Sequence, residues 1–204
     1  TFSSRGLGDV YKRQVYTQLD VEDLYQRKHD GGFDLQEFFD DPSGYESLFA
    51  SYAKGTDLFI NGIYWNPAAP LFFKKEDVKS SDFRIQTIAD ISCDIEGSVP
   101  ITLRSTTIEE PVFGYSRLSG EETVPFSSES IDIMAVDNLP NELPRDASKS
   151  FGEVLSEKVI SELLATNSSI LNQATIAVDG ALNSPYDYLQ DFVGEASQGS
   201  KVRD

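Results

Sequence analysis

"TDLFINGIYW" (residues 56–65) and "FRIQTIADISCD" (residues 83–94) decide how this chain folds. Each is a nearly continuous apolar run between polar flanks. A run without alternation is the pattern of a strand buried on both faces, as in a parallel sheet. Parallel neighbours need a crossover between them. "PLFFKKEDVKSS" (residues 70–81) lies between the two runs and reads as a helix able to supply it. Upstream, "VYTQLD" (residues 15–20) reads as a short strand ending in an acid, because Val, Tyr and Thr favour a pleated surface. A polar turn with Gly31 and Gly32 follows. Leu35, Phe38 and Phe39, then Tyr45, Leu48, Phe49 and Tyr52, recur at spacings of three and four. That pattern fits two short amphipathic helices broken at Pro42. Strand and helix alternate, so the expectation is an α/β fold with a doubly wound parallel sheet.

The pattern then changes. "SVPITLRSTTIEEPVFGY" (residues 98–115) is rich in β-branched and turn residues and reads as hairpin-like extended structure. "SIDIMAVDNLP" (residues 130–140) reads as one more strand. From Pro144, a residue suited to a first helical turn, Ala147, Phe151, Val154, Leu155, Val159, Leu163 and Leu164 form one apolar stripe. A short helix, a turn at Asp179 and Gly180, and a final helix are expected within residues 169–193. Residues 194–204 read as a tail. The expected parts are therefore 1–14, 15–142, 143–193 and 194–204.

Residues 3–14, "SSRGLGDVYKRQ", stand apart. They have no apolar periodicity and no caps, and they resemble the translated read-through of sequencing-adapter DNA. The expectation is that residues 1–14 are such an artefact, contribute nothing to the fold, and replace native sequence ahead of Val15.

The 204 residues carry 17 basic and 34 acidic side chains, a net charge of −17. That balance argues against nucleic acid as a partner, since phosphates are met by Lys and Arg. No apolar run reaches the roughly 20 residues of a membrane helix. Cys93 is the only cysteine, so no internal disulfide forms, and a cytoplasmic location is expected. One Cys and one His, His29, argue against a zinc site, and no metal is expected.

Candidate chemistry gathers where strands end. Ligands of open α/β sheets bind beyond the carboxyl ends of the strands. Asp20 stands where a dinucleotide site holds the adenosine ribose, accepting hydrogen bonds from both hydroxyls and repelling a 2′-phosphate. By position alone, a helix cap or a solvated loop acid is the commoner role. The glycine fingerprint expected about 20 residues upstream is absent; "RGLG" (residues 5–8) lacks its spacing. Asp90 and Asp94 in "ADISCD" and Asp137 in "VDNLP" share the strand-end logic. Cys93 lacks the companions of a nucleophile and reads as a small buried apolar residue. His29, in a charged turn, reads as solvated.

Together, "FINGIYW…PAAPLF", "ADISCDIEGSVPITLRSTT…EPVFGY" and "VDNLPNELPRDASKSFGEVL" resemble saccharopine dehydrogenases of the lysine-forming type. They equally resemble the lysine–2-oxoglutarate reductase half of the bifunctional enzymes, both within the alanine dehydrogenase and transhydrogenase-like group. The resemblance covers about residues 15–193. It implies a Rossmann-like NAD-binding domain inserted into a catalytic domain. Residues 15–142 would be the later part of that NAD domain, and the helices after 143 would return to a catalytic domain lying upstream. It implies NAD as cofactor and a small amino-acid substrate in the intact enzyme. It further implies that Asp20 holds the ribose, Tyr64 lines the cofactor and Ile91 is an apolar contact to the nucleotide. Val136, Asp137, Asn138 and Leu139 would form a loop closing near the nicotinamide. The acid–base Lys and His of such enzymes fall upstream, and neither Lys28 nor His29 is in the matching context. No catalytic residue is therefore expected in this chain, and turnover by the chain alone is not expected. A related alanine dehydrogenase-like or opine-type dehydrogenase, or a non-catalytic nucleotide-binding module, remains an alternative.

Overall fold

The structure, a computed structural model, describes residues 15–165 and 167–193. It divides after Leu139 into two compact units. The expectation for residues 1–14, and that for the tail at 194–204, lie outside the described residues.

The first unit opens with α1 (Val21–Leu24), which runs into β1 (Tyr25–Arg27). Next come α2 (Leu35–Asp40), β2 (Tyr45–Ser47) and α3 (Phe49–Ala53). Asp34 caps α2, its side chain accepting from the Glu37 amide at 2.9 Å. Pro42 ends α2 as expected, but it opens a 3-10 turn, Pro42–Gly44, and then β2, which pairs antiparallel with β1. The second expected helix is thus shorter, beginning only at Phe49. β2 forms because Tyr45, fully buried in the core, meets the rings of Phe33 and Phe38 edge-on from an extended backbone.

The main sheet contains β3 (Leu58–Asn61), β4 (Thr87–Asp90), β5 (Val112–Ser116), β6 (Glu122–Thr123) and β7 (Ser130–Met134) in the order β3-β4-β7-β5-β6. β3, β4 and β7 are parallel, while β5 runs antiparallel to both of its neighbours, β7 and β6. The α/β class holds, but the sheet is mixed rather than all-parallel. The chain reverses because residues 98–115 deliver β5 into a hairpin with β6, as their composition suggests. Ile88, Phe113, Ile131 and Ile133 on the strands pack with Ile85, Val99 and Ile101 into one core.

Three expectations fail here. Residues 15–20 form no strand, because no described strand pairs with them. β3 is not buried on both faces: it lies at the sheet edge with Leu58 and Ile60 54% and 64% exposed. Residues 70–81 form no helix beyond one 3-10 turn, Asp77–Lys79. The Asp77 carboxylate accepts from the Lys74 amide at 2.7 Å, a local bond that competes with helical pairing. Phe72, Phe73 and Val78 are nonetheless buried from this irregular path.

The second unit begins with α4 (Pro144–Leu155), whose helical path continues through a π turn at Ser156–Ile160 into α5 (Ser161–Leu163). None of α4 is buried. α6 (Ser169–Ala174), capped by Ser168, leads to a hairpin of β8 (Ala177–Val178) and β9 (Ala181–Leu182). Its turn is the expected one at Asp179 and Gly180, both with positive φ. The expected final helix is the 3-10 stretch Ser184–Leu189 with helical residues 190–193.

Candidate functional site

Three parallel strands end side by side, and that sets the site. Asn61 at the end of β3 lies in register with Asp90 at the end of β4, and Met134 ends β7 next to it. Tyr64, Ile91 and the 136–139 loop each follow one of these ends, so they belong to one edge of the sheet. Tyr64 is 96% exposed and Ile91 40% exposed. Val136 is buried, Asp137 and Asn138 are exposed, and Leu139 is half-buried. Asp20 differs. It does not end a strand but stands at the N-cap of α1. Its amide donates to the Asp23 carboxylate at 2.9 Å, and its carbonyl accepts from the Asp23 amide at 3.0 Å. Its side chain is exposed.

Behind the edge lies a buried polar cluster. Asp90 and Asn61 are 0% and 1% exposed, and Ser98 and Thr102 are also buried. The Asn61 amide nitrogen donates to Asp90 at 2.9 Å and lies 2.9 Å from the Ser98 hydroxyl. Ser92 and Thr102 donate their hydroxyls to Asp90 at 2.7 and 2.6 Å. The Asn61 Oδ1 and the Trp65 Nε1 are buried with no hydrogen-bond partner among the described residues. The exit of β7 is held separately. The Thr106 amide donates to the Ala135 carbonyl at 2.8 Å, and the Ala135 amide returns a bond to the Thr106 hydroxyl at 3.1 Å.

Cys93 follows the end of β4 with a positive φ of 56°, its thiol donating to the Asp90 carbonyl at 3.3 Å. Burial pushes its thiol pKa up, and the charges of Asp90, Asp137 and Asp94 add to the effect. A thiolate is therefore scarce, but the side chain is half-buried rather than buried as expected.

A cavity of about 600 Å³ lies elsewhere, lined by Phe83, Arg84, Thr87, Arg117, Phe126 and Asp132 among others. It opens at the starts of β4 and β7, away from the strand ends. Arg117 there is already committed, donating to the carbonyls of Val78, Phe83 and Ile85. The carboxyl edge presents the exposed Tyr64, Ile91, Asp137 and Asn138.

No family model matches the chain. Curated proteins do match it. It is 32% identical over 213 residues to the rat protein named alpha-aminoadipic semialdehyde synthase, mitochondrial, covering 90% of this chain and 23% of the relative. The Arabidopsis thaliana alpha-aminoadipic semialdehyde synthase is 28% identical over 92% of this chain and 18% of its own length. The Emericella nidulans saccharopine dehydrogenase, named as NAD(+)-dependent and L-lysine-forming, is 26% identical over 62% of this chain and 33% of its own. The chain is homologous to these oxidoreductases. It spans less than a quarter of the length of the alpha-aminoadipic semialdehyde synthases it matches.

Sequence reasoning reached Asp90 as a strand-end acid but missed Asn61, Ser98, Thr102 and Thr106. The signal for Asn61 was an amide closing an otherwise apolar strand, "LFIN". Ser98, Thr102 and Thr106 carried none, since hydroxyl residues in an extended stretch are ordinary.

Proposed function

We propose that this chain is the cofactor-side part of an NAD-dependent saccharopine dehydrogenase in lysine metabolism. The reaction converts saccharopine, NAD⁺ and water reversibly to lysine, 2-oxoglutarate and NADH. The likeness to proteins named saccharopine dehydrogenase, NAD(+), L-lysine-forming, carries this reading. The placement of Tyr64, Ile91 and residues 136–139 at one strand-end edge supports it.

The residues present fit a nucleotide. Tyr64 and Ile91 offer an exposed ring and an exposed apolar side chain. Asp137 and Asn138 offer exposed polar groups beside them. Behind them the Asn61 Oδ1 is buried with no partner among the described residues. NAD supplies the hydride acceptor when bound. In our reading Asp20 accepts hydrogen bonds from the ribose hydroxyls, and Tyr64 and Ile91 shield the ring from water. Val136 and Leu139 cover the nicotinamide end. On the single cysteine, we propose a cytoplasmic location, although the rodent relatives are named as mitochondrial. Among the described residues no helix is long and apolar enough to cross a membrane.

An NADH titration followed by backbone amide shifts tests the assignment. Shifts concentrated at Tyr64, Ile91 and residues 136–139 are expected. Shifts confined to the cavity around Arg117, or none at all, would overturn it.

A further inference from the structure

The Asp90 carboxylate is fully buried, and no ion pair is seen for it among the described residues. Burying a charge is costly unless donors surround it. A strand-end position in a sheet core could be filled by an apolar side chain at lower cost. The three donors to Asp90 are placed in a particular way along the chain. Ser92 stands at the start of the segment that follows β4, and Thr102 stands eleven residues beyond Ile91 at its end. The third donor, Asn61, comes from the neighbouring strand, and its amide nitrogen also lies 2.9 Å from Ser98, in the middle of the same segment. One carboxylate and one amide therefore hold residues 91–102 at beginning, middle and end.

The backbone closes on the same plan. The Ile91 amide donates to the Asn61 carbonyl at 2.7 Å, and the Glu96 amide donates to the Thr102 carbonyl at 2.9 Å. Gly97 completes the tight turn. A Cβ there would lie 2.5 Å from the Asp94 Cβ.

We infer that Asn61 and Asp90 are positioning residues that clamp the 91–102 segment and so present Ile91 at the nucleotide edge. The inference rests on the nucleotide reading and deepens it: the buried pair touches no ligand but sets the surface that does. The competing account is that Val99 and Ile101, both fully buried, hold the segment by packing alone.

Amide hydrogen exchange and NADH titration on the 204-residue chain, applied to Asp90→Ala, Asp90→Asn and Thr102→Val, separate the two. In Asp90→Ala the amides of residues 92–102 exchange roughly ten-fold faster or more, while those of Ile131 and Ile133 keep their protection. NADH affinity falls in parallel. Asp90→Asn, which still accepts from Asn61 and Ser92, restores much of both. Thr102→Val removes one bond without a change of shape and gives a smaller change of the same kind, which decides the matter if Asp90→Ala does not fold. Unchanged exchange at 92–102 in Thr102→Val and in any folded Asp90→Ala overturns the clamp. So does a uniform rise across β4 and β7, which marks general destabilisation. If the unsubstituted chain shows no NADH-induced shifts, the proposed function fails, and the exchange pattern still judges the clamp.

Discussion

At the scale of single residues, Asp20 and Tyr25 lead to different measurements. Asp20 is the N-cap of α1 and forms a capping box with Asp23, and its carboxylate is exposed. Asp20→Ala should therefore lower stability by about 0.5–2 kcal/mol, the cost of losing an N-cap. If the carboxylate receives ribose hydroxyls, each charge-assisted bond is worth about 1.5–3 kcal/mol. NADH affinity should then drop roughly ten-fold, while NADPH affinity holds or improves, because a like charge has gone. Fluorescence titrations with both nucleotides beside a melting curve test this, and an unchanged preference would end the ribose assignment. Tyr25 reports on pH. Burial pushes its phenol up to about 12 from an ordinary 10.0, and its hydroxyl donates to the Pro70 carbonyl at 3.0 Å. A raised folded pKa on an acid means the neutral form is the one the fold accepts. Its contribution is intact below pH 10 and is lost as pH rises toward 12. Denaturant unfolding between those pH values should show a decline that Tyr25→Phe removes in large part. A decline of equal size in Tyr25→Phe would assign the alkaline loss to other groups.

At the scale of elements, the β5–β6 hairpin depends on close backbone approach. A Cβ on Gly114 would meet the Val124 and Thr123 carbonyl oxygens at 2.6 and 2.9 Å, and backbone cannot step aside cheaply. Gly114→Ala should cost about 1–3 kcal/mol and expose β6 amides to exchange first, with β3 and β4 least affected; a stability within error of the parent would show that the hairpin can slide. The elements also show what was legible in the sequence. β4 and β7 announced themselves because their apolar runs are buried at the centre of the sheet. β3 was read as a strand, but its place at an edge was not readable, since edge and centre share one apolar pattern when exposed positions also carry Leu and Ile. The 70–81 stretch misled for another reason. Phe72, Phe73 and Val78 sit in a charged stretch placed where a crossover helix was expected, yet Asp77 satisfies the Lys74 amide locally, and tertiary packing took the three side chains from a non-helical path. The strand-end position of the candidate site was expected from the sheet type, while Tyr64, Ile91 and residues 136–139 were named from the resemblance. The clamp behind it was not expected, because Asn61, Ser98 and Thr102 converge only through pairing between β3 and β4.

At the scale of the whole molecule, the decisive quantity is charge. The chain carries −17 at neutral pH, with a sequence pI near 4.3. The proposed ligand is itself an anion, through its diphosphate, so the overall field opposes its approach. Steering of this kind acts on the association rate more than on the contacts made once bound. Salt shortens its reach, from a Debye length of about 30 Å at 0.01 M to about 8 Å at 0.15 M. NADH should therefore associate faster as sodium chloride rises over that range, with little change in the dissociation rate. This is the opposite of what a nucleic-acid site does, where affinity falls steeply with salt as counterions are released. The local field could reverse the sign only if basic groups dominated the carboxyl edge, and the titratable groups bearing on Cys93 there are Asp90, Asp94 and Asp137. Stopped-flow fluorescence at several ionic strengths gives the slope directly. A rate that falls with salt would place the nucleotide beside cations, and the carboxyl edge would then be the wrong site.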